Sequence, residues 1–232
     1  MRLICFNWKM LGDLALLQQY SQLIPGKDIL PVIIPPATMI HQASAMLESP
    51  WAIGAQTCHN VASGAYTGQL SAKILADAGA DYVLIGHSER RDFESEVYLQ
   101  AAYELAVAAG LQPILCIGET LAERPSVTAV LERQLAWLEH VNAGEIIVAY
   151  EPRWAIGTGL TPSVEELSGL FSWMRIKINE IIPRQAAKIR LLYGGSLNSK
   201  NLNEFLSSDN IDGGLIGGAS LKIEQVRDIL ND

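Results

Sequence analysis

Cysteine is scarce in this chain, with three among 232 residues. Cys5, Cys58 and Cys116 are far apart and odd in number, which excludes a disulfide framework, and they match no zinc-ligand spacing. Free thiols of this kind point to a reducing, cytoplasmic setting. A membrane-spanning run is also missing. The uncharged stretch 29–47 is broken by Pro31, Pro35 and Pro36. Residues 1–9 are too short, and too soon interrupted by Asn7 and Lys9, to form a signal peptide. Positive charge is in deficit: 17 Lys and Arg face 25 Asp and Glu, a net charge of −8. That argues against a nucleic-acid or anionic-membrane partner. An acidic protein that takes an anionic substrate must build a local positive site, from a buried lysine or from backbone N–H groups. Low-complexity segments and interdomain linkers are absent as well, so 1–232 is expected to be a single domain.

What the chain does have is hydrophobic residues, at 49%, and a repeated alternation of short apolar runs with longer helical patterns. Strand-like runs occur at 3–6, 32–34, 51–55, 82–85, 113–116, 145–150, 189–193 and 214–216. Helical patterns follow at 14–23, 39–47, 71–78, 95–109, 127–141, 164–182, 201–206 and 223–230. The strands are continuously apolar, as in a parallel sheet covered on both faces. This pattern predicts an α/β fold and, within that class, a (β/α)8 barrel. An open doubly wound sheet is the competing arrangement, because periodicity does not show closure.

Catalytic groups in such a barrel gather at the C-terminal ends of the strands. Asn7 and Lys9 follow the first strand. His87, Ser88, Glu89, Arg90 and Arg91 follow the fourth, and Gly118 and Glu119 the fifth. Glu151 ends the sixth, where Pro152 has no N–H to continue a ladder. Beyond it, Trp154 and Ile156 with Gly157 and Gly159 form an apolar, glycine-hinged segment of the kind used as a lid. A carboxylate beside a lid is a candidate general base. Gly194-Gly195-Ser196 and Gly217-Gly218-Ala219-Ser220 occupy equivalent places after the last two strands and suit a phosphate. A helical turn starting at His87 would disfavour the imidazolium, so a neutral His87 is expected. His41, His59 and His140 lack metal-ligand spacing and are expected to be structural. Cys116 is expected to be a buried small residue rather than a nucleophile, and Arg90 and Arg91 to pair with Glu94, Glu96 or other acids.

Taken in order, Asn7-Trp8-Lys9, Gly86-His87-Ser88-Glu89-Arg90-Arg91, Cys116-Ile117-Gly118-Glu119, Ala149-Tyr150-Glu151-Pro152, Trp154 to Gly159, Tyr193-Gly194-Gly195-Ser196 and Leu215 to Ser220 resemble the triosephosphate isomerases. The motifs span nearly the whole chain. The resemblance implies a TIM barrel. It also implies an aldose–ketose isomerase that interconverts dihydroxyacetone phosphate and D-glyceraldehyde 3-phosphate in glycolysis and gluconeogenesis. In that family a Glu base, a neutral His and loop closure are established roles, not deductions from these residues. By resemblance Glu151 is the base, His87 the electrophile, Lys9 the cation at the enediolate, Asn7 a polar holder of the site and Glu89 the support of Lys9. Gly157, Ser196, Gly217 and Gly218 join Asn7 and Lys9 in binding substrate and phosphate. No metal or organic cofactor is implied. A homodimer is implied, with Thr67 at the tip of the loop that enters the partner.

The departures from the family pattern cluster at the lid and at this loop. Arg153 stands where an aliphatic residue is usual, Leu160 and Pro162 where Lys and Ala are common, Gln69 for Glu and Thr57 for Asn. The resemblance implies that Tyr193 would bond a backbone N–H at position 162 when the lid shuts, and Pro162 has no such N–H. Another sugar-phosphate isomerase or epimerase on a barrel, or an inactive binding barrel, are the alternatives. The segments around His87 and Glu151, and the intact Lys9, His87 and Glu151, argue against them.

Overall fold

The computed structural model describes residues 1–182 and 188–231. The part of the 1–232 expectation that falls on residues 183–187 and Asp232 lies outside the described residues. The strands are β1 (Arg2–Asn7), β2 (Ile29–Ile34), β3 (Ala52–Ala55), β4 (Tyr82–Ile85), β5 (Gln112–Ile117), β6 (Glu145–Tyr150), β7 (Lys188–Tyr193) and β8 (Gly213–Ile216). They alternate with α1 (Leu14–Tyr20), α2 (Ile40–Met46), α3 (Ala72–Asp77), α4 (Glu96–Ala108), α5 (Val127–Leu135), α6 (Val164–Ile181), α7 (Leu202–Leu206) and α8 (Ile223–Asn231). All neighbours pair in parallel, and β8 returns to β1 with Leu3 opposite Gly213 and Cys5 opposite Leu215. The sheet is a closed (β/α)8 barrel, and the open doubly wound alternative is set aside.

Side chains alternate across each strand, which explains the two apolar layers. Leu3, Cys5, Val32, Ile34, Leu84, Ile114, Cys116, Ile147, Ala149, Leu192 and Leu215 fill the barrel interior. Their strand neighbours, such as Ile4, Phe6, Ile33, Val83, Leu115, Val148 and Leu191, pack outward against the helices. Continuous apolar strands are therefore required by two buried faces. Gly213 is needed where β8 closes on β1. A Cβ there would lie 1.9 Å from the Leu3 carbonyl oxygen.

Helix starts have local causes. Asp13, Ser71 and Ser95 accept the N–H of Leu16, Ile74 and Tyr98. Ser163 and Glu166 form a reciprocal capping box that starts α6 directly after the lid. Several boundaries differ from expectation, as where α1 ends at Tyr20 and not at residue 23. The pattern 127–141 is α5 only as far as Leu135, and then a 3-10 segment Ala136–His140. There Trp137 packs edge-on against Tyr103 and donates to Glu96 Oε2 at 3.1 Å. Strand β2 begins at Ile29 and includes Pro31, which the sequence pattern placed outside it. Pro31 precedes the β2–β3 ladder, which starts at Val32, so its missing N–H breaks no bond there.

Candidate active site

The closed barrel brings the ends of β1, β4, β6, β7 and β8 to one mouth. A cavity of about 650 Å³ opens there, lined by Asn7, Lys9, His87 and Glu151 together with Gly157, Ser196, Gly217 and Gly218. Glu89 stands one step back, and Thr67 lies elsewhere, exposed on the loop between β3 and α3.

Glu151 is 4% exposed. Its backbone N–H donates to the Ile117 carbonyl at 2.7 Å, which anchors the strand end. Its Oε2 accepts the Ser88 N–H at 3.1 Å, and its Oε1 faces His87 Nε2 at 3.2 Å. Two glycines make room for it. A Cβ at Gly118 would stand 1.9 Å from the Glu151 carbonyl oxygen, and one at Gly194 would stand 2.9 Å from Glu151 Cγ. Gln134 in turn holds Gly118, donating to its carbonyl and accepting its N–H.

His87 sits at the head of one helical turn, its carbonyl accepting from Arg90 and Arg91. Its Nδ1 accepts the Glu89 N–H at 3.3 Å, which leaves the ring proton on Nε2, the nitrogen facing Glu151. The Glu151 carboxylate opposite works against the expected neutrality. Burial disfavours the imidazolium, but the charge and hydrogen bond of Glu151 outweigh it and the pKa is raised. The expectation considered the turn and not the carboxylate opposite.

Lys9 has φ 55, a left-handed value that a non-glycine residue adopts at a cost of order 1–3 kcal/mol. The conformation is held by Asn7 Oδ1, which accepts the Lys9 N–H at 2.9 Å, and by Gln56 Nε2, which donates to the Lys9 carbonyl. The ammonium reaches Glu89 Oε1 at 2.7 Å, and its Cε stands 3.3 Å from where a Gly217 Cβ would be. Burial works against the Glu89 charge, yet the hydrogen bond and charge of Lys9 hold its carboxyl below the usual range.

The lid lies down on the site. Trp154 Nε1 donates to Glu119 Oε1 at 2.7 Å, and Tyr150 donates to the same oxygen at 3.1 Å. Arg124 covers the Trp154 ring at 4.1 Å. Ser196 Oγ donates to the Ala155 carbonyl at 2.8 Å and accepts the Gly159 N–H at 3.2 Å. Gly157 and Gly159 have φ of +71 and +77, the conformations that free the lid tip from a Cβ.

A triosephosphate isomerase family model matches residues 2–232. The chain belongs to the triosephosphate isomerase family. It is 46% identical to the triosephosphate isomerase of Afipia carboxidovorans, over 95% of this chain and 92% of that one. It is 42% identical to that of Rhizobium etli over 95% and 91%. It is 41% identical to that of Paracidovorax citrulli over 99% and 97%.

Within this family frame the remaining side chains fall into place. Cys116 is fully buried and its thiol is pushed well up, first by burial and then by Glu151, so it is a filler of the interior. Arg90 pairs with Glu94 and Arg91 with Glu96, each at 2.6 Å. His59 accepts the Val61 N–H and packs on Tyr66, a structural role. Among the described residues no group of three His, Cys, Asp or Glu is placed to hold a metal, and no helix is long and apolar enough to cross a membrane. Of the supporting residues, Ser88 and Glu119 stand inside the motifs, whereas Gln56 and Gln134 had no sequence signal. The Tyr193 hydroxyl is buried without a hydrogen-bond partner, as the missing Pro162 N–H predicts.

Nitrogen NMR of labelled imidazole in the enzyme alone is expected to show His87 titrating above the ordinary value of about 6.5. Glu151→Gln is expected to bring it down, because burial and Lys9 remain while the carboxylate is gone. An unchanged titration would remove Glu151 as the cause. The folded pKa is raised, so the pair's contribution to stability is complete below the unfolded pKa and is lost as pH rises through the folded one.

Tyr193→Phe is expected to lower kcat less than about 5-fold, since a neutral hydrogen bond contributes about 1 kcal/mol net and none is present to lose. A loss above about 100-fold in a variant with an intact circular dichroism spectrum would show that the hydroxyl acts through another group; that is some 2.7 kcal/mol, more than such a bond supplies.

Proposed function

We propose that Glu151, His87 and Lys9 carry the isomerisation of dihydroxyacetone phosphate and D-glyceraldehyde 3-phosphate in this chain. The observation behind this reading is that the three groups, from three strand ends, share one cavity with the glycine-lined loops after β7 and β8. Phosphate oxygens would sit against the backbone of Gly157, Gly217 and Gly218 and the Ser196 hydroxyl, on the far side from Glu151. The carbonyl would then face His87 Nε2 and Lys9.

Glu151 takes a proton from the carbon beside the carbonyl. The C–H electron pair becomes the C=C of the enediolate, and the carbonyl oxygen takes the charge. His87 Nε2–H and the Lys9 ammonium stabilise that oxygen, so the charge develops in front of fixed donors. His87 moves the hydroxyl proton between the two oxygens, and Glu151 returns its proton to the adjacent carbon. Asn7 and Glu89 keep Lys9 in place. A substrate between Glu151 and His87 has to separate their 3.2 Å contact, which frees the carboxylate to act and lets the imidazole remain neutral. Ile156 in the lid lines the cavity and excludes water.

The working unit in this reading is a homodimer, in a cytoplasm whose reducing state suits three free, buried cysteines. Thr67 tops an exposed loop, and a second cavity of about 240 Å³ opens beside Lys9, lined among others by Met10, Gln56, Thr57 and Glu89. Met10 is 93% exposed in the single chain, an apolar side chain suited to being covered. The partner's loop would fill this cavity and back Lys9.

Glu151→Asp tests the base. The carboxylate retreats by about one C–C bond, and a misplacement of about 1 Å can cost 100-fold, so kcat is expected to fall by at least that factor with substrate affinity kept. A variant near wild-type kcat would sink the assignment. Deleting residues 62–66 tests the dimer: light scattering is expected to report monomers of greatly reduced activity. A fully active monomer would overturn it.

A further inference from the structure

The isomerase chemistry makes no use of the ion pair between Arg153 and Asp92. Arg153 is the second residue after Glu151 and begins the lid hinge. Its guanidinium donates to Asp92 Oδ2 at 2.7 Å. Asp92 lies on the loop between β4 and α4, the loop that presents His87 and gives the Ser88 N–H to Glu151. The Arg153 hydrogen bond and charge hold the Asp92 carboxyl below the usual carboxylate range. The Arg153 backbone N–H donates to the Glu119 carbonyl at 2.9 Å, while the neighbouring Trp154 reaches the Glu119 side chain. The hinge is thus fixed to the β5–α5 loop on one side and, through Arg153 and Asp92, to the β4–α4 loop on the other.

We propose that Arg153 and Asp92 are positioning residues for the reaction. They form a latch that couples the lid hinge to the loop carrying His87, so that lid closure and alignment of His87 with Glu151 occur together. An aliphatic side chain at position 153 could pack but could not bond across to Asp92. The two side chains are 29% and 62% exposed, so salt screens their attraction. Surface pairs contribute little to global stability, and the same strength placed at a hinge shifts a lid equilibrium by about 1.5- to 5-fold. The latch rests on the reading of Glu151 as the base beneath this lid.

The test uses the full chain labelled with 5-fluorotryptophan. The sequence has five tryptophans, and the Trp154 fluorine resonance is assigned with Trp154→Phe. Lid populations are read from that resonance. Affinity for inorganic phosphate and for a phosphorylated carboxylate that mimics the enediolate is measured by titration, and kcat and KM by a coupled assay. Arg153→Val and Asp92→Asn are each expected to raise the lid-open population and weaken the mimic by about 2- to 5-fold, with KM rising more than kcat falls. Added potassium chloride is expected to open the wild-type lid and to leave the variants unchanged. The exchanged pair, Arg153→Asp with Asp92→Arg, is expected to restore the wild-type population. Single variants with wild-type spectra and affinities, or an exchanged pair that restores nothing, would overturn the latch. Should Arg153→Val fail to fold, the near-isosteric Asp92→Asn carries the same test. The fluorine spectrum reads the hinge without turnover. A wrong base therefore shows in the Glu151→Asp assay, and a wrong latch in the spectrum.

Discussion

The contact on which the rest depends is the Glu151 carboxylate held between His87 Nε2 and the Ser88 N–H. A carboxylate that is 4% exposed needs such partners, because an unpaired buried charge costs several kcal/mol. Those partners come from the end of β4, while Glu151 follows β6, and β5 alone lies between these two strands, so the parallel order brings the three groups together. The glycines at 118 and 194 are part of the same constraint. Each leaves the volume that the Glu151 backbone or side chain occupies. Gln134, far from the chemistry, matters because it pins Gly118 through two hydrogen bonds.

The net charge of −8 sets a second constraint, since the substrate is an anion. The protein answers it locally. Lys9 carries the strained φ of 55 that brings its ammonium beside both Glu89 and the Gly217 backbone. Glu89 accepts from that ammonium at 2.7 Å and keeps it in place at the cavity wall. The cost of the strained backbone is offset by the Asn7 and Gln56 hydrogen bonds, each worth about 1 kcal/mol net.

Legibility in the sequence divided along physical lines. Strands were visible because two buried faces demand unbroken apolar runs, and their number with helical spacing pointed to the barrel. The positions of Lys9, His87 and Glu151 were visible because motifs at strand ends must face the mouth. The direction in which the His87 pKa moves was not legible because it depends on Glu151, 64 residues away in sequence and 3.2 Å away in space. Gln56, Gln134 and Asp92 were invisible as supports for the same reason: polar residues on loops and helix faces carry no periodic signal. The end of α5 was missed because the 3-10 segment Ala136–His140, with Trp137 and Leu138 buried, fits a helical pattern equally well.

The lid shows how local substitutions redistribute one function. At its far hinge Pro162 has no N–H to give, and the Tyr193 hydroxyl beneath is buried and unpartnered. Proline there also restricts the open conformers, an effect of about 0.4–1 kcal/mol, so a lost bond and a lost freedom oppose each other. At the near hinge Arg153 gains a partner in Asp92, Arg124 covers Trp154, and Trp154 bonds Glu119. The hold on the lid is therefore concentrated at the hinge next to Glu151. Further along the lid Ser196 bridges Ala155 and Gly159, so the segment between the two hinges is tied to the loop after β7 while its near end is tied to the loops after β4 and β5.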